Sequence, residues 1–186
     1  FYTGRTEAGY NKNSHKTSPK VSGAISDRFS LGDGVDNFGV AAALSWNKRD
    51  FRSDNVETGG DWDFTDGARL NSFEQRVYEI SRERAGGGLN FDYKPDDDTS
   101  LYLRTLYSRF EDNETRNSTS FEFSDPQAEG EVGKTKTKRK LKQREETQEI
   151  QSYVFGGERT MGLWTLSGQA GYSESSEDNP GGIAGA

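Results

Sequence analysis

The chain has 186 residues, of which 30% are hydrophobic and 30% charged, with a net charge of −7 and a mean hydropathy of −1.00. No stretch approaches the roughly 20 apolar residues of a membrane helix; the absence of cysteine excludes disulfides and thiolate metal sites; and the acidic balance argues against a general nucleic-acid binder. Yet 12% of the residues are aromatic, more than disordered chains carry, and a low mean hydropathy is what strands give when only alternate positions are apolar. Position 1 is Phe and the one methionine is Met161, so the start of translation is expected upstream, and any export signal is expected upstream or is missing.

In chain order, the first predicted strand runs from Gly4 to Tyr10, with Thr6, Ala8 and Tyr10 on one face. A polar connector, 11–19, leads to a second strand over 20–29, where Val21, Gly23 and Ile25 share a side. The turn at 30–37 supplies Gly and Asp where positive φ is tolerated. The clearest alternation follows: Phe38, Val40, Ala42, Leu44 and Trp46 fall on one face, and Gly39, Ala41, Ala43 and Ser45 on the other. An apolar face about ten residues long with aromatics at both ends matches a tilted strand crossing a bilayer. A long polar excursion over 50–75 carries Trp62, Phe64 and Arg69, which either catch a ligand by stacking and charge or fold the loop.

The fourth strand is predicted over 76–93, with Ala85, Gly87, Leu89, Phe91 and Tyr93 alternating against Gly86, Gly88, Asn90 and Asp92. The three glycines 86–88 read as places of close approach by backbone or by a bulky neighbour. A tight acidic turn at 94–100 precedes the fifth strand, 101–109. There Leu101, Leu103, Thr105 and Tyr107 point outward and Arg104 and Ser108 inward, because an arginine facing lipid costs about 2–4 kcal/mol at the midplane, and Leu106 then falls on the lumen side against the pattern. The segment 111–146 reads as the longest irregular stretch, and its basic run 134–140 as a solvated loop face rather than a grip on phosphates. The sixth strand, 147–155, is the weakest signal because both faces carry apolar residues. After a turn at 156–162 the seventh, 163–173, sets Trp164, Leu166, Gly168, Ala170 and Tyr172 against Thr165, Ser167, Gln169 and Gly171.

Together these predict an all-β chain, an antiparallel meander of about seven long strands that forms part of a transmembrane β-barrel. Short turns at 30–37, 94–100 and 156–162 alternate with long loops at 50–75 and 111–146, as in outer-membrane barrels, with 11–19 a short exception. Phe38, Trp46, Phe91, Tyr93, Trp164 and Tyr172 are then girdles at the lipid interface, or, in the alternative, an ordinary sandwich core. Asn90, Arg104 and Gln169 are then lumen residues.

The stretches Arg76–Pro95 and Ser100–Asp112 resemble TonB-dependent outer-membrane receptors, most closely the branch abundant in Caulobacter- and Xanthomonas-type bacteria. Lys48-Arg-Asp-Phe51, Asp54-Asn-Val-Glu-Thr58 and Gly156-Gly-Glu158 with Trp164-Thr-Leu166 fit the same pattern. The resemblance implies a 22-stranded barrel with an N-terminal plug, importing a scarce ligand such as a siderophore or oligosaccharide. Residues 1–186 would be a partial barrel of early strands, lying against outer-membrane lipid and reaching the TonB complex only through the plug that this sequence lacks. The chain departs from the pattern in ending on Ala186 rather than an aromatic residue.

No cofactor, metal or catalytic group is expected. Ala128-Glu-Gly-Glu-Val-Gly-Lys-Thr135 misses the first glycine of a phosphate loop and lacks the strand and helix that such a loop needs. Asp96, Asp97 and Asp98 read as an acidic turn rather than a calcium loop. His15, the single histidine, has no triad or zinc partners, which disfavours a barrel enzyme. A soluble β-rich binding or adhesion module is the competing expectation.

Overall fold

Strands leave every backbone N–H and C=O to be satisfied by a neighbour. In the computed structural model, which describes residues 1–123 and 133–185, eight strands do this in one antiparallel sheet. They are β1 (Tyr2–Asn11), β2 (Lys16–Phe29), β3 (Phe38–Glu57), β6 (Ser72–Asp96), β7 (Thr99–Phe123), β8 (Thr135–Met161), β9 (Trp164–Asp178) and β10 (Ile183–Gly185). The short β4 (Trp62–Asp63) and β5 (Arg69–Leu70) make a separate hairpin. Each sheet strand pairs with the next sheet strand along the chain, except that β10 resumes along β8 where β9 leaves off, so the predicted antiparallel meander of about seven long strands is the observed one. No helix occurs among the described residues.

The strands are longer than predicted. β6 and β7 have 25 residues each and β8 has 27, or about 80–90 Å at ~3.3 Å per residue. The expectation of an irregular 111–146 is overturned over 111–123 and 135–146, where β7 and β8 pair without interruption from Glu111↔Thr147 to Phe123↔Thr135, while 124–132 lie outside the described residues. The excursion at 50–75 likewise contracts to 58–71, and the turns at 94–100 and 156–162 to residues 97–98 and 162–163. The physical reason is the same in each case. These segments are polar on both faces, so no apolar period marks them, but opposite charges and hydroxyls meet across the ladders instead. The turn at 30–37 is as expected, with Gly32 at φ 62° and Asp36 at φ 51°.

Register fixes the faces. The ladders align Phe29, Phe38, Tyr93 and Leu101 in one row, and Val21, Trp46, Ala85 and Arg109 in another. Between the rows one face carries Ile25, Val40, Ala42, Leu44, Leu89, Phe91, Leu103, Phe155 and Ala170. No second layer covers it. Among the described residues no hydrophobic side chain is buried, and Leu44 is 73% and Trp164 78% exposed. Within the band the backbone of a neighbouring strand leaves no room for a side chain at Gly87 and Gly88. A Cβ at Gly87 would lie 2.5 Å from the Ala43 carbonyl oxygen, and one at Gly88 2.6 Å from that of Thr105. The close neighbour that these glycines admit is therefore the sheet itself.

Candidate functional site

All six predicted interface aromatics lie on the apolar face. Phe38 stacks on Phe91 at 5.9 Å between ring centroids and meets Tyr93 edge-on at 6.2 Å, near the short-turn end. At the other rim the aromatics carry polar atoms, and each donates toward the long-loop end. Trp46 Nε1 donates to Glu83 (2.7 Å), Tyr107 to Glu149 (3.2 Å), Tyr153 to Gln151 (3.4 Å) and Tyr172 to Glu174 (2.9 Å). Phe38 and Trp46 are eight residues apart, about 27 Å along a strand, or about 20 Å of depth at the 35–45° tilt of membrane barrels. Beyond Trp46 the same face turns to Lys48, Asp50, Arg52 and Asp54.

The opposite face is mainly polar, with Ala41, Ala43, Leu106, Ile150 and Val154 among its charged and hydroxyl side chains. The predicted lumen residues come together near its short-turn end. Arg104 lies opposite Asn90, donates to the Phe91 carbonyl (2.7 Å), pairs with Asp92 and sits 5.0 Å over the Tyr102 ring. The Tyr102 hydroxyl in turn donates to Gln169 Oε1 at 2.9 Å. Leu106 faces the same side, as predicted.

Trp62, Phe64 and Arg69 belong to a different place, the hairpin of β4 and β5. Along β6, Ser72 and Asn90 are 18 residues apart, about 60 Å, so the two sets do not share a site. Trp62 stacks on Phe64 at 6.4 Å and donates to Thr58, while Arg69 pairs with Asp66 at 3.2 Å. Hydrogen bonds from the side chain and backbone of Thr65, outweighing slight desolvation, hold the Asp63 carboxyl below the usual range. Phe64 is left open to solvent.

The middle of the polar face holds a cluster that the sequence reading missed. Asp112, 4% exposed, accepts from Arg82 Nε at 2.9 Å and from Arg144 Nη2 at 2.7 Å. Arg144 reaches Glu146 at 3.3 Å, and Gln148 donates to Glu146. Arg84 lies 4.7 Å over the Phe110 ring, and Arg49 and Arg82 flank Phe51. The available signal was charge of alternate sign at period two: Arg82 and Arg84, Asp112 and Glu114, Arg144 and Glu146. It becomes legible only once 111–123 and 135–146 are recognised as strand.

Toward the long-loop end, Arg76 is ion-paired with Glu57 and Glu74, and its hydrogen bonds to Glu74 and Tyr78, with the two carboxylate charges, outweigh burial to raise its pKa. Burial works to raise the Glu74 carboxyl, but the Ser118 hydroxyl and Arg76 outweigh it and keep that carboxyl low; the Ser118 contact falls short of full hydrogen-bond geometry. Lys138 donates to Glu122 at 2.7 Å and keeps it below the usual range, despite some desolvation. Asp96 accepts from the Asp98 N–H and so shapes its turn, and the exposed His15 meets the Tyr10 hydroxyl at 3.1 Å. Most of the phosphate-loop-like segment at 128–135 lies outside the described residues. Among the described residues no three His, Cys, Asp or Glu side chains converge to hold a metal. No protein-family model, no curated protein and no solved structure matches the chain.

Proposed function

We propose that the chain is a length of the wall of an outer-membrane β-barrel of the TonB-dependent receptor kind, which takes up a small-molecule or oligosaccharide nutrient. The observation that carries this reading is the rim of hydrogen-bonded aromatics. Trp46, Tyr107, Tyr153 and Tyr172 each keep a ring in the apolar band and a donor turned to the first polar rung above it. Side chains with one apolar and one wet end suit a membrane–water interface. A soluble sandwich would cover this face with a second sheet. Lipid does so in the proposed setting, with Arg104, Asn90 and Gln169 turned to the lumen. Strands continuing far past the band would carry the hairpin of Trp62, Phe64 and Arg69 outside the cell, where a ligand arrives.

The three tryptophans test the proposal. In vesicles containing lipids brominated at graded depths, Trp46 and Trp164 fluorescence is quenched most by bromines near the interfaces, and Trp62 by none. Trp46 and Trp164 as accessible to aqueous iodide as Trp62 would overturn the reading.

A further inference from the structure

The polar face carries positive charge that its own carboxylates do not neutralise, and beyond Arg49 and Arg84, which lie over phenylalanine rings, the excess is densest where β7 meets β8. The basic run is a strand in which every second residue faces this side: Lys136, Lys138, Lys140, Lys142 and Arg144, with Thr135, Thr137, Arg139 and Leu141 behind. Lys138 is taken by Glu122, Arg76 by Glu57 and Glu74, and Arg144 and Arg82 by Asp112. Arg116, Lys136, Lys140 and Lys142 remain without an ion pair among the described residues, although Lys140 acts through space on Glu74 and, with Lys136, on Glu122. Arg116, Lys140 and Lys142 are neighbours, since Lys142 lies directly opposite Arg116 and Lys140 opposite Ser118, one rung away. Glu114, the closest carboxylate along β7, lies opposite Arg144 instead.

A second observation marks the same spot. Arg116 Nε is buried without a hydrogen-bond partner, and so is the Ser120 hydroxyl on the same side of β7. A buried guanidinium N–H left unpaired is costly, and a guanidinium fork is shaped for two oxygens of one anion. Tyr78, opposite Arg116 on β6, walls the position on the other side.

We propose that Arg116, Lys142 and Lys140 form a subsite for a polyanionic group, carboxylate or phosphate, on the ligand that enters from the long-loop end. This rests on the reading of the polar face as a receptor lumen, and it narrows the ligand to an anionic class. Arg116 supplies the bidentate contact, the two lysines supply point charge, and the lysine row above steers the anion inward.

The test uses the full chain refolded in detergent micelles and titrated calorimetrically with citrate, with inorganic pyrophosphate and with neutral maltohexaose. At least one anion binds, more weakly as salt is added, and maltohexaose does not. The variant R116Q/K142Q loses about 10- to 100-fold in affinity, whereas R116K/K142R, which keeps both charges but loses the fork at position 116, falls between it and the wild type. Citrate against pyrophosphate separates the carboxylate from the phosphate source. Equal affinity in wild type and R116Q/K142Q, or no anion binding by wild-type chain whose Trp46 and Trp164 are quenched by lipid, overturns the subsite and leaves the wall reading intact. Failure of the quenching overturns the wall reading, and the comparison of variants still decides the subsite.

Discussion

Asp112 is the residue on which the polar face most depends, because its enclosed carboxylate joins β6 to β8 through two guanidiniums. Asp112→Asn keeps the shape and removes the charge, leaving Arg82 and Arg144 side by side around a neutral amide. Breaking a fully buried pair costs about 3–5 kcal/mol, but both arginines here are roughly two-fifths exposed, so screening lowers the expected cost to about 2 kcal/mol. Urea unfolding of D112N in lipid vesicles, followed by tryptophan fluorescence, measures it. An unchanged midpoint would show the triad to be ornamental. Single residues of this kind were legible only where they sat in an apolar frame. Arg104 could be assigned inward because Leu101, Leu103 and Tyr107 fixed the register around it. Asp112 and Arg144 had no such frame, and a pair 32 residues apart cannot be read without knowing which strands face each other.

At the scale of the element, the β6–β7 ladder has an opening inside the apolar band. Backbone pairing lapses at Gly88 and Leu89 and resumes at Asn90↔Arg104 in the same register. Thr105 fills the gap: its hydroxyl donates to the Leu89 carbonyl at 2.8 Å and accepts from the Leu89 N–H at 2.9 Å. Asn90 Oδ1 accepts from the Thr105 N–H at 3.3 Å, so this predicted lumen residue also serves the sheet. In hydrocarbon an unpaired backbone group costs several kcal/mol. Thr105→Val, nearly identical in shape, is therefore expected to destabilise the folded chain by about 2 kcal/mol or more, and Thr105→Ser to restore most of that. Amide hydrogen exchange at Leu89 in micelles reads the effect locally; protection unchanged in T105V would refute it. The alternation at 85–93 and 101–107 placed both strands correctly, and Thr105 on the apolar face with them. What periodicity could not give is that a threonine on that face is there for its hydroxyl. Nor could it extend β7 and β8 past Arg109, where Lys-Thr-Lys-Thr-Lys keeps period two in charge rather than in hydropathy.

For the whole molecule the governing fact is one large sheet, beside the small β4–β5 hairpin, with no buried hydrophobic core among the described residues. A layer needs a partner to bury its apolar face. Nothing within the described chain supplies one, and β1 and the β9–β10 edge both end the hydrogen-bonded order. The decisive question is which solvent the apolar face meets, and two adjacent alanines put it cleanly. Ala42 lies on the apolar face midway between Phe38 and Trp46, and Ala43 on the polar face beside it. The same substitution, Ala→Arg, then has opposite consequences. At a bilayer midplane A42R costs about 2–4 kcal/mol, while A43R, turned to a hydrated lumen, changes stability by no more than about 0.5 kcal/mol, the ordinary scatter of surface substitutions. If water covered both faces, neither change would matter and the two variants would unfold together. Paired urea titrations of A42R and A43R in vesicles therefore separate the alternatives. A cost confined to Ala42 assigns lipid to the face that holds Trp46, and equal midpoints would return the chain to the soluble class.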